Sequence, residues 1–232
     1  MQVSENMKAN TVSSAGQVEK IGSVFFPEEK KDAELKVLFV GNSITLHGYL
    51  PDIGWYGTWG MAASSKENDY VHRTVAMLRE AYGDTAFCIA QGANWERGYE
   101  NTAAVLEAEY TAARDFAADI VIIRIGENVN REANAKLPIK PYFAEMVKFF
   151  ASNPNAKVIV TDLFWKCDAL DEQIRAAAFE NGWTFVHLGD LEQDPATMAL
   201  GEFEHSGVAH HPGDYGMEMI AKRLKLAIDT VM

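Results

Sequence analysis

The stretch Leu35-Lys36-Val37-Leu38-Phe39-Val40-Gly41-Asn42-Ser43-Ile44-Thr45 decides how the rest of the chain is read. Its first part is a short, nearly continuous apolar run, the pattern of a strand covered on both faces as in a parallel sheet. Gly41-Asn42-Ser43 then breaks the run with turn residues. Four more runs repeat this form: TAFCIA at 85–90, ADIVIIRIG at 118–126, AKVIVTD at 156–162 and TFVHLGD at 184–190. Longer segments with apolar residues at steps of three and four separate them, as helices with one buried stripe require. The alternation predicts five parallel strands under helices on both faces, a three-layer α/β/α arrangement.

The helical segments carry their own punctuation. Phe143, Met146, Val147 and Phe150 form one stripe, with Pro141 suited to the first turn and Asn153-Pro154-Asn155 ending it. Met217, Ile220, Ala221, Leu224, Ile228 and Val231 form another, with Asp214 placed as its N-cap. Gly83 and Gly182 suit left-handed C-caps of helices near 69–82 and 169–181. Residues 1–22 are polar and aperiodic and are expected to be a tail, leaving 23–232 as one domain without internal repeats.

Composition limits the function. The 232 residues are 48% apolar and 23% charged, enough for a single packed core. A formal charge of −12 argues against duplex nucleic acid or an anionic membrane as partner, since both are held by clustered Lys and Arg. Cys88 and Cys167 have neither disulfide-framework nor zinc-site spacing and are read as free thiols. Without an apolar signal or a spanning run, the chain is expected to be soluble and cytoplasmic, secreted only if a signal peptide has been removed.

In open parallel sheets, ligands bind outside the carboxyl ends of the strands. That end collects Gly41–His47 after the first strand, Gln91–Arg97 after the second and Gly126–Asn130 after the third. Leu163–Lys166 and the long stretch from Asp190 to Gly213 follow the fourth and fifth. Ser43 sits on a strand-to-helix turn, where a hydroxyl meets free backbone N–H groups; it is a candidate nucleophile or simply a turn serine. His211, in His-Pro-Gly-Asp before the last helix, is held at a defined place and is a candidate general base.

Gly41-Asn42-Ser43-Ile44-Thr45, Gly126-Glu127-Asn128 and His211-Pro212 resemble, in order and place, the motifs of the SGNH (GDSL-like) hydrolases, which are serine esterases and acylhydrolases. The resemblance spans Leu35 to the C-terminus. It implies a flavodoxin-like SGNH hydrolase fold, no cofactor or metal, Ser43 as nucleophile and His211 as base. It also implies an oxyanion hole of the Ser43 N–H, the Gly92 N–H and the Asn128 side chain. Three positions depart from the family's pattern: Asn42 replaces Asp, Val129 replaces Asp, and Val208 occupies the usual place of the triad acid, three residues before the histidine. Glu204, His205 or a backbone carbonyl could orient the imidazole instead; the expectation is a Ser43–His211 dyad with Glu204 as candidate helper, and His210 turns away if His211 points in, with His210 as the alternative base.

Four of the five tryptophans, Trp55, Trp59, Trp95 and Trp165, fall in loops at the active end. They are candidates for a substrate wall suited to sugars or flat groups, or for loop packing. Glu127 joins them as a candidate substrate contact, and Arg124 is either a buried ion-pair partner or a group reaching the site. The expected function is hydrolysis of small acyl esters, acetyl groups on carbohydrates first among them. A lipid or thioester acylhydrolase, a silent carbohydrate-binding relative and a phosphate-binding module stand as alternatives.

Overall fold

The computed structural model describes residues 22–28 and 33–232; the predicted tail, apart from Gly22, lies outside them. The elements used below are β1 (Val24–Phe25), β2 (Leu35–Gly41), α1 (Tyr70–Tyr82), β3 (Thr85–Gln91), α2 (Ala93–Arg97), α3 (Thr102–Glu109) and α4 (Thr111–Asp115). They continue with β4 (Ile120–Arg124), α5 (Arg131–Lys136), α6 (Lys140–Phe150), β5 (Lys157–Thr161), α7 (Asp168–Asn181), β6 (Thr184–Val186), α8 (Ser206–Ala209) and α9 (Asp214–Asp229).

The sheet runs β1-β3-β2-β4-β5-β6. The five predicted strands are all present and mutually parallel, with β2 central, paired to β3 from Leu35↔Thr85 and to β4 from Val37↔Ile120. The prediction omitted β1, which pairs antiparallel to β3 at Val24↔Ala90 and makes the sheet mixed and six-stranded. Two residues are too few to carry a strand period, so β1 had no sequence signal.

Alternation along β2 sorts the core into two layers. Val37 and Phe39 face Val71, Val75 and Leu78 of α1 and Met217, Ile220 and Leu224 of α9. Leu38 and Val40 face the other layer, where Phe143, Met146 and Phe150 of α6 meet Ile174 and Ala178 of α7. Every one of these side chains is essentially excluded from water. At about 25 cal/mol per Å² of apolar surface, each of them larger than alanine contributes on the order of 1.5–3 kcal/mol to holding helix on sheet.

Pro141 lies in the first turn of α6, and Gly182 closes α7 in the left-handed conformation. Asp214 is not the cap of α9. Gly213 is, and the Asp214 carboxylate instead accepts from Ser64 N and Oγ and from Asn68 Nδ2, tying the long loop 47–68 to the last helix. Both cysteines are free. Among the described residues, no helix is long and apolar enough to cross a membrane.

With β2 at the centre, the chain leaves β2 for β3 on one side and later returns to β4 on the other. The carboxyl ends of β2 and β4 flank the crevice where a parallel sheet of this order opens. Ser43 follows the first of these strands and Asn128 the second.

Candidate active site

At that crevice a cleft of about 560 Å³ is lined by Ser43, His47, Gln91, Asn94, Arg97, Asn128 and His211, among others. Ser43 Oγ lies 2.8 Å from His211 Nε2. His211 Nδ1 lies 2.6 Å from the Gly207 carbonyl oxygen, and this contact settles the tautomer. A carbonyl oxygen can only accept, so Nδ1 carries the proton and Nε2 presents its lone pair to the serine hydroxyl. The α8 turn supplies the carbonyl: it begins at Ser206, four residues before His210 and five before His211.

Val208, at the position of the usual triad acid, is fully buried beside Trp55 and Phe203. Glu204 is exposed and makes no contact with His211, so its expected helper role is withdrawn; the Gly207 carbonyl stands where a carboxylate would. His210 turns away, its Nδ1 on the Ser206 carbonyl. Trp165 lays its ring edge-to-face with the His211 imidazole, centroids 4.9 Å apart, and its Nε1 donates to the His210 carbonyl. Burial pushes the His211 pKa down to about 4, against a raising contribution from the Gly207 carbonyl.

Beneath Ser43 lies a buried charged cluster that the sequence reading did not assemble. Arg124 pairs with Glu127 at 2.5 Å, both side chains excluded from water. Asn42 joins them: its Oδ1 accepts from Arg124 Nη2, and its Nδ2 donates to Glu127 Oε2 at 2.6 Å and Glu96 Oε1 at 3.0 Å. This explains the departure from Asp at position 42, because only an amide can accept from the guanidinium and donate to two carboxylates at once. Burial raises the Glu127 pKa, but the Arg124 charge together with the hydrogen bonds from Arg124, Asn42 and the backbone outweighs it and leaves that carboxyl below its ordinary value. Glu96, with the weaker claim on Arg124, is raised by burial and by the charge of Glu127. Arg124 is thus a scaffold ion pair, and Glu127, also accepting from Phe164 N, is no substrate contact.

Glu96 accepts from Gly126 N at 2.7 Å, Asn128 N at 3.2 Å and Asn128 Nδ2 at 2.5 Å. It holds the Gly126–Asn128 turn in place; Gly126 takes φ 141°, where side chains are strained. Asn128 keeps one side-chain N–H beyond its bond to Glu96 and borders the cleft. Gly92 does not serve as the second donor. Its N–H is spent on the Gly41 carbonyl at 2.6 Å, and a Cβ there would lie 2.2 Å from Ile125 Cδ1. The Ser43 N–H has no acceptor among the described residues. Val129, the remaining departure, is buried in the same core layer as Trp95.

The tryptophans are packing residues. Trp55 is fully buried against Trp59 and Phe203, and Trp59 donates to the Ala63 carbonyl. Trp95 is buried against Phe143 and bonded to Thr102. None of the four lines the cleft. Proximity to a loop end does not say which way a ring faces, and a large apolar surface in a structured loop is driven inward. The sequence reading also left His47 and Glu96 without roles, although both stand in loops it had singled out. Their signal was there: an imidazole four residues after the serine, and a carboxylate next to Trp95.

No protein-family model matches the chain, and neither does any curated protein sequence. Solved structures do. LAE5, an alpha/beta hydrolase enzyme from the metagenome of Lake Arreo, Spain, aligns with a TM-score of 0.54 at 18% identity, over 86% of this chain and 97% of that one. A protein described as a GDSL-like lipase from Parabacteroides merdae aligns at 0.55 and 17% identity, over 88% and 99%. A two-domain esterase (CEX) active on acetylated mannans aligns at 0.54 and 16% identity, over 85% of this chain; the chain spans 49% of that protein. At these identities the likeness concerns the fold, and the fold of this chain is that of the GDSL-like, or SGNH, hydrolases.

Proposed function

We propose that this protein hydrolyses small acyl esters through a Ser43–His211 dyad, with acetylated carbohydrates as the preferred substrate class. The observation that carries the reading is the 2.8 Å contact between Ser43 Oγ and a His211 Nε2 whose lone pair is fixed by the Gly207 carbonyl. The Ser43 hydroxyl gives its proton to Nε2 as Oγ attacks the ester carbonyl. The oxygen of the tetrahedral intermediate takes up charge facing the Ser43 N–H and the remaining Asn128 side-chain N–H; donors of this kind are each worth about 3–4 kcal/mol in the transition state. His211 then protonates the departing alcohol, and water repeats the cycle on the acyl-enzyme.

A backbone carbonyl performs two of the three tasks of a triad carboxylate: it selects the tautomer and orients the ring. It stabilises the imidazolium less, since it carries a dipole and not a charge. The carbohydrate preference draws on the polar lining of the cleft and on the likeness to an esterase active on acetylated mannans. The test is p-nitrophenyl acetate hydrolysis by wild type, Ser43→Ala and His211→Ala, with labelling by a serine-directed phosphonate. Either substitution should lower turnover by on the order of 10⁴-fold or more, and Ser43→Ala should abolish labelling. A Ser43→Ala protein that keeps wild-type turnover overturns the dyad. A wild type that neither turns over nor labels is a binding protein.

A further inference from the structure

His47 lines the same cleft as Ser43 and His211. Its Nδ1 lies 2.7 Å from the Gly48 carbonyl oxygen. The argument made for His211 applies again: the carbonyl accepts, so Nδ1 carries the proton and Nε2 offers a bare lone pair. Burial lowers the pKa of this ring below its ordinary value, which keeps it neutral at pH 7. The two imidazoles are wired alike, each tied at Nδ1 to a main-chain carbonyl. They differ at the other nitrogen. Nε2 of His211 receives the Ser43 hydroxyl, whereas Nε2 of His47 has no donor among the described residues.

We infer that His47 determines specificity by accepting, at Nε2, a hydrogen bond from a free hydroxyl on the alcohol half of the ester. This rests on the esterase reading above and narrows it to monoesters of diols, polyols or sugars. An acetyl group has no O–H or N–H, so a donor for this lone pair must belong to the alcohol. Gln91, Asn94 and Arg97 extend the polar lining of the cleft, which suits an alcohol with further hydroxyls. His47 is half-buried on the cleft wall, so an ester that enters displaces the water from its Nε2; a ligand that brings a methyl group in place of the donor then leaves the acceptor unpaired and is discriminated against.

The test compares 2-hydroxyethyl acetate with propyl acetate, which have equal chain length and differ by a terminal hydroxyl for a methyl. Wild type should favour the hydroxylated ester by about tenfold or more in kcat/KM. In His47→Phe that ratio should fall to about one, whatever the absolute rates. In His47→Gln, whose amide oxygen again accepts, part of it should return. A wild type that hydrolyses both esters alike, or a ratio unchanged in either variant, overturns the inference and leaves the esterase reading standing. A wild type that hydrolyses neither ester and does not label with phosphonate overturns the esterase reading and the inference with it.

Discussion

Two neighbouring parts of this molecule handle polarity in opposite ways. The Ser43–His211 pair, open to the cleft, contains no carboxylate and is oriented by a single main-chain carbonyl. The cluster directly beneath it, Asn42, Glu96, Arg124 and Glu127, gathers two carboxylates and a guanidinium out of water. The acidic groups that the sequence places near the site therefore serve the frame and not the imidazole. The Glu96 and Glu127 carboxylates clamp the turns that carry Ser43 and Asn128, so the cluster fixes where those two residues stand while the pair above it stays neutral.

The strongest way to break this division is to remove one member of the cluster. Glu127→Ala leaves the Arg124 guanidinium buried without its ion-pair partner, and loss of one member of such a pair costs about 3–5 kcal/mol. Urea unfolding should show a loss of that size, whereas Ser43→Ala should unfold close to wild type. Equal stability of Glu127→Ala and wild type would mean that the cluster is not the frame.

The pH profile sharpens the other half. In the proposed mechanism His211 must be neutral to accept the Ser43 proton, and its pKa is held down to about 4 by burial. Activity should then change less than twofold between pH 7 and pH 5. An imidazole at the unperturbed value of about 6.5 would be roughly thirtyfold less active at pH 5. The same shift bears on stability. A folded-state pKa below the unfolded one means that the unfolded chain binds more protons between pH 6.5 and 4. This contribution is intact above about pH 6.5 and is lost as pH falls toward 4. A kcat/KM limb near 6.5 would place His211 in a wet, charged setting.

How far the sequence was legible follows from which interactions have a period or a motif. The buried alternation of β2 and the stripes of α6 and α9 repeat over several residues, so the parallel sheet and its two layers could be read directly. That Ser43 and His211 meet at one end of the sheet was legible because a strand end and a His-Pro-Gly turn place them by topology. The Gly207 carbonyl was not, since every residue has one and only the fold selects which is used. The family resemblance implies Gly92 as an oxyanion donor, but its hydrogen bond to Gly41 arises from strand pairing that a linear reading does not contain. For Trp55 and Trp95 the choice between substrate wall and loop packing stayed open for a related reason, as a ring's direction is decided by tertiary packing.

Glu204 gives the smallest expected effect and the cleanest check on the carboxylate-free dyad. It is the nearest acidic residue in sequence to the position where a triad acid is expected, yet it is exposed and the ring nitrogen it would have to reach is occupied by the Gly207 carbonyl. Glu204→Gln should leave kcat and kcat/KM for p-nitrophenyl acetate within about twofold and the acid limb unmoved, as for a surface substitution away from the site. If the carboxylate did stabilise the imidazolium, its loss would lower kcat and shift the limb to lower pH, because a negative charge near a histidine raises its pKa. A fall in rate accompanied by that shift would put Glu204 beside His211 in the working enzyme; a fall in rate without it would point to altered packing of the α8 turn.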